Sequence, residues 1–121
     1  MAEMATYRAV APVTITANAA LVRGIRVSLT SAGVCDAGDA TVLGEYVTLQ
    51  AIEAAKVGAA VNMHGGGKVP ALASEAVAVG DPAYSAAAGK FSKTSTNATL
   101  LGKWTLAASG DGVLGEVELG V

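Results

Sequence analysis

At 121 residues, 52% of them hydrophobic, the chain is long enough for one domain with a real core. Ala accounts for 26 of those residues and aromatics for only 4% of the chain, so each core position buries little area and subunit association would add stability. A net charge of −2 removes the general basic footprint of a nucleic-acid binder, and one Cys with one His excludes an internal disulfide and a structural zinc centre.

Residues 1–12 read as an N-terminal arm ending at Pro12, and residues 13–121 as a single β-rich domain. Glu3 and Arg8 interrupt the start, and no apolar run of signal-peptide type follows. The uncharged run from Ala9 to Val22 is too short and too polar to cross a bilayer, so no membrane partner is expected. Val13-Thr14-Ile15-Thr16 is a β-branched strand, and Asn18 marks a turn. Val22 to Leu29 alternates, with Ile25, Val27 and Leu29 on one face and Arg26 and Ser28 on the other. Gly33 turns the chain into a return strand at Val34-Cys35, the cysteine being a small buried residue. Asp36 to Asp39 is a loop, followed by short extended pieces at Thr41-Val42-Leu43 and Glu45 to Ile52.

One unit is then written twice. Val57 to Val69 and Val79 to Phe91 each place a Gly nine residues before a second Gly that a Lys and a bulky apolar residue follow. Gly24 and Gly33 keep the same spacing in a fainter copy. Each copy reads as a hairpin with a small-residue tip. Pro70 to Ala78 reads as irregular connector, and Ser92 to Thr99 as a polar loop. Leu101 to Leu106 and Val113 to Leu119 form a last hairpin about Gly110-Asp111-Gly112. The sum is eight to ten short strands and no long amphipathic helix: an all-β barrel or sandwich built from hairpins.

Catalytic motifs fail when tested. His64-Gly65-Gly66-Gly67 looks like an esterase oxyanion loop, but no G-x-S-x-G nucleophile elbow exists. Gly67-Lys68 and Gly89-Lys90 lack the hydroxyl residue a phosphate loop needs, since Val69 and Phe91 follow. Asp36, Asp39 and Glu45 match no calcium-loop spacing. No enzyme activity, cofactor or metal is expected. Lys56 to Lys103 is a basic-leaning stretch between acidic ones, read as solvated surface.

Across residues 13–121 the chain is similar to the small capsid cement or decoration proteins of tailed-phage heads. The resemblance is carried by Thr14-Ile15-Thr16, by Val22-Arg23-Gly24-Ile25-Arg26-Val27, and by Gly44-Glu45-Tyr46-Val47. It continues through Val79-Gly80-Asp81-Pro82-Ala83-Tyr84 with Gly89-Lys90-Phe91, through Leu101-Gly102-Lys103-Trp104, and through Gly110 to Leu119. It departs at Asn62-Met63-His64-Gly65-Gly66-Gly67. It implies a non-enzymatic virion protein on the capsid exterior, assembled in the host cytoplasm. Its partners would be the major capsid protein and its own copies, as a homotrimer at local threefold sites, with no nucleic acid bound. Contact residues are then expected in the arm, at Thr6, Tyr7, Arg8, Val10 and Pro12, and at Trp104, a residue whose place is core or interface. Another head or tail component is the near alternative; a β-barrel carbohydrate-binding module is the distant one.

Overall fold

In the computed structural model, which describes residues 12–39, 41–65 and 67–120, the chain forms two five-stranded antiparallel sheets. The first contains β1 (Pro12–Thr16), β2 (Arg26–Leu29), β3 (Cys35–Ala37), β4 (Tyr46–Thr48) and β5 (Val57–Asn62). The second contains β6 (Gly67–Leu72), β7 (Pro82–Ser85), β8 (Phe91–Ser92), β9 (Leu100–Leu106) and β10 (Leu114–Leu119). The all-β expectation holds in its sandwich form, both sheets being open among the described residues. Pro12, assigned to the arm, is the first residue of β1 and lies opposite Val61.

The two sheets are the same unit used twice. Their strand orders, β1-β5-β4-β2-β3 and β6-β10-β9-β7-β8, are identical once each half is counted from its own first strand. The isolated bridges Ala17–Cys35 and Leu21–Ile52 recur as Ala73–Phe91 and Val77–Ala108, every residue displaced by 56. Turn hydrogen bonds repeat as well: Gly24 N donates to Thr48 O at 3.0 Å, and Gly80 N to Trp104 O at 2.8 Å. Gly24 and Gly80 share a positive φ (+82° and +94°), as do Gly33 and Gly89 (+83° and +75°). This backbone region is costly for any residue with a Cβ, which is why glycine marks the repeat.

The glycine spacing in the sequence therefore has a different meaning at one of its three sites. Gly24–Gly33 and Gly80–Gly89 frame true equivalents, the hairpins β2–β3 and β7–β8. The Gly58–Gly67 copy is no hairpin. β5 pairs with β1 and β4, β6 pairs with β10, and a 3-10 turn at Met63–Gly65 carries the chain from one sheet to the other. Three further expectations are corrected. The strand expected from Val22 begins only at Arg26, because the positive-φ turn at Gly24 interrupts it. Thr41–Leu43 is not a strand, and that of Glu45–Ile52 shrinks to Tyr46–Thr48. The connector from Pro70 starts inside β6, which runs to Leu72. As an edge strand β6 has a side with no ladder to break, so it tolerates a proline.

Each half has its own core, filled differently at matching positions. Ile15, Ala17, Leu21, Val27, Cys35, Thr48 and Ile52 correspond to Ala71, Ala73, Val77, Ala83, Phe91, Trp104 and Ala108, all buried. The second half gains two aromatic rings and shrinks the aliphatic side chains around them, conserving volume. Two glycines show how. A Cβ on Gly58 would lie 2.5 Å from Ile52 Cγ1, and one on Gly115 would lie 2.9 Å from Trp104 Cζ3. Equivalent floor space is thus covered by Ile52 in one half and by Trp104 in the other. Phe91 and Trp104 meet edge to face, centroids 6.4 Å apart at 80°.

The halves are joined face to face. Val47 and Val61, on the outer face of the first sheet, pack into the core of the second half. Their equivalents there, Lys103 and Glu118, are exposed. Within the second sheet β9 and β10 approach so closely at Gly102 that a Cβ would sit 1.9 Å from Glu118 O. Gly102→Ala is expected to cost about 3 kcal/mol, the upper end for overpacking. The control is Gly110→Ala, where a Cβ meets nothing within 4 Å. Urea midpoints of the two variants check this: the first falls and the second stays within experimental spread of the parent.

Candidate interaction surface

Of the expected contact residues, Thr6, Tyr7, Arg8 and Val10 lie outside the described residues. Pro12 is exposed at the start of an edge strand. Trp104 is fully buried, and its indole Nε1 donates to Ser92 O at 3.2 Å, so as placed it is core. The three carboxylates considered for a cation are dispersed to separate tasks. Asp36 accepts from Asn18 Nδ2 at 3.0 Å, and Glu45 from the Leu29 amide at 2.6 Å. Asp39 accepts from the amides of Val42 (2.7 Å) and Thr41 (2.8 Å) and from the Thr41 hydroxyl (3.0 Å). Those donors hold the Asp39 carboxyl below its ordinary range. Among the described residues no group of three or more His, Cys, Asp or Glu side chains is placed to hold a metal ion. Cys35 is buried, and burial, with Glu45 and Asp36 nearby, pushes its thiol pKa up, away from nucleophilic reactivity.

Arg26 is the residue sequence reasoning missed. Expected on the polar face of a strand, it is fully buried between the halves. Its Nη1 donates to Val42 O (3.1 Å) and Leu43 O (2.9 Å), and its Nε and Nη2 both donate to Lys90 O (3.2 and 3.1 Å). Nη2 also donates to Ala86 O, and the guanidinium carbon lies 5.7 Å from the Phe91 ring centroid. Burial lowers the pKa of the guanidinium to about 10, with Asp39 pulling it the other way, so it stays charged at neutral pH. A planar fork of five donors is matched to carbonyls converging from two loops. The β7–β8 tip is thereby seated on β2, where a Cβ at Gly89 would lie 2.5 Å from Arg26 O.

Beyond this staple, an apolar cleft of about 360 Å³ opens where the halves meet. Its walls come in repeat-related pairs, Leu43 with Thr99, Gly44 with Leu100 and Met63 with Gly120, and His64, Leu101 and Leu119 complete it. The cleft therefore lies where corresponding pieces of the two units face each other. Leu100 and His64 stand exposed at its rim. Elsewhere Lys90 Nζ is ion-paired with Asp111 Oδ1 at 2.8 Å, tying the basic middle stretch to the acidic end within one chain.

These features define a duplicated five-stranded antiparallel unit with a cleft at its seam, a fold that has solved counterparts. The chain is similar to the N base of the head fiber gp8.5 of bacteriophage phi29, in its crystal structure, with a TM-score of 0.73 and 16% identity. The match covers 92% of this chain and 94% of that one, so the fold is shared throughout. No family model matches the chain. No curated protein matches it either.

Proposed function

We propose that this chain is a structural subunit of a tailed-phage head, carried on the outer surface of the shell and performing no catalysis. The observation that supports this most is the whole-chain likeness to the base of a phage head fiber. It agrees in kind with the sequence resemblance to head decoration proteins. The cleft fits the reading too: its wall is aliphatic, with His64 its one titratable side chain, which is a poor basis for a reaction.

The likeness favours a base-like module seated on the head over a general cement protein, and the second reading, a homotrimeric decoration subunit over the whole shell, is the finer alternative. Both use many repeated weak contacts in place of one strong one. Quantitative mass spectrometry of purified particles separates them. A small fixed number of copies supports the base, a number comparable to the shell protein supports decoration, and absence from the particle overturns both. We expect deletion of residues 1–11 to leave a folded protein that no longer co-sediments with heads; undiminished co-sedimentation would remove the arm from the contact.

A further inference from the structure

We infer that copies of this chain associate head to tail, the Gly80 turn of one copy seating on the free edge of β1 in the next. The same contact already exists once inside the molecule. The Gly24 turn of the first half lies on the edge of β6 in the second, where Gly24 O accepts from the Leu72 amide at 2.8 Å. Gly24 is buried there, so tightly that a Cβ would lie 2.6 Å from Leu114 Cδ1 and 3.1 Å from the Leu72 nitrogen. Displaced by one repeat, the same parts are Gly80 and Thr16, with Val57 in the place of Leu114. Both sides of this second contact stand open. Gly80 is exposed, and a Cβ on it would meet nothing within 4 Å. The Ala17 amide donates to Lys56 O, and amides alternate along a strand, so that of Thr16 points away from β5 as that of Leu72 points away from β10. Among the described residues nothing receives it.

The occupant follows from what the two ends present. Val79, beside Gly80, and Val57, on β5 opposite Thr16, are the most exposed large apolar residues among those described, at 66% and 65%. In the contact within the chain the matching positions hold Arg23 and the half-buried Leu114. One molecule thus carries an apolar turn and an apolar socket of the same chemistry that do not meet within it. The β1 edge also lacks both guards of its twin: β6 has Pro70 in the place of Thr14 and carries the Gly24 turn. An unguarded edge is a template for another chain. Lys103 and Glu118, standing where the first half has Val47 and Val61, keep the rest of the seam from being repeated between copies. The contact is therefore smaller than the one inside the chain, and reversible.

The isolated chain tests this without particles, so its failure leaves the proposed function untouched. Sedimentation velocity is expected to show association that grows with concentration. Val79→Asp and Val57→Asp, both at exposed side chains, are each expected to weaken it about tenfold. Val79→Asp with Val57→Lys in one chain is expected to recover most of that loss, since every head-to-tail contact then faces Asp with Lys. A twofold contact, pairing each valine with itself, gives no such recovery. Hydrogen exchange supplies a second reading on the unaltered chain. The Thr16 amide is expected to slow several-fold on concentrating, while that of Leu72, already bonded, stays as it was. A monomer at every concentration, association indifferent to both valines, or an unchanged Thr16 amide overturns the inference.

Discussion

Arg26→Met is expected to lower the unfolding free energy by about 3–5 kcal/mol, the range found when one side of a buried charged network is removed. Its volume is nearly conserved, so the loss is not one of packing. Four carbonyls lose the guanidinium: those of Val42 and Lys90 keep a backbone donor in the amides of Asp39 and Ala86, while those of Leu43 and Ala86 are left without the donor that Arg26 supplied. Each buried acceptor left unpaired costs about 1–3 kcal/mol, less whatever relaxation lets water in. Against a total of about 5–15 kcal/mol for an ordinary domain, this removes a large share of the margin. Arg26→Lys is expected to recover little, because an ammonium cannot present a planar fork to carbonyls on two loops. Urea unfolding followed by fluorescence of the single, buried Trp104 measures both. A midpoint for Arg26→Met equal to the parent's would show that the halves hold together without the staple.

Trp104→Thr, which installs the residue found at the matching place in the first half, is expected to cost about 3–5 kcal/mol through the cavity it opens over Gly115. The duplication supplies the remedy. In the first half the equivalent floor, Gly58, is covered by Ile52, whose counterpart is Ala108. Adding Ala108→Ile to Trp104→Thr is therefore expected to regain more than 1 kcal/mol, about the value of the methylenes restored. The same Ala108→Ile change in the parent, where the ring already fills the space, is expected to destabilise by about 1–3 kcal/mol. Circular dichroism in urea reads all three variants, and this reversal of sign is the signature to look for. If Ala108→Ile destabilises both backgrounds alike, the two cores do not solve the same packing problem.

Much of the local structure is legible in the residues, and the reasons are local. β9–β10 is visible because Gly110-Asp111-Gly112 supplies the turn and the flanking residues alternate. β2–β3 and β7–β8 are visible because Gly33 and Gly89 must take a backbone region other residues avoid. The duplication itself is half visible. The spacing of glycines points to repetition, but the pairing of strands decides which copies are equivalent, and Gly58 earns its place through close packing under Ile52, not through a turn. β6 is hidden by Pro70, which reads as a breaker until the strand is known to be at an edge. The seam is not legible at all. Arg26 sits between Ile25 and Val27 as an outward polar residue would, and the carbonyls it serves come from positions 16 to 64 residues away. The cleft is likewise assembled from four separated segments, so no window of sequence contains it.

At the places where the first unit offers Val47 and Val61 to its neighbour, the second offers Lys103 and Glu118 to water. A modular stack grows without limit when its last layer looks like its first, and terminal layers of such arrays are polar for that reason. Here the pile is closed after two storeys. The charged outer face thus acts as a stop signal against end-on growth of copies of this chain into filaments.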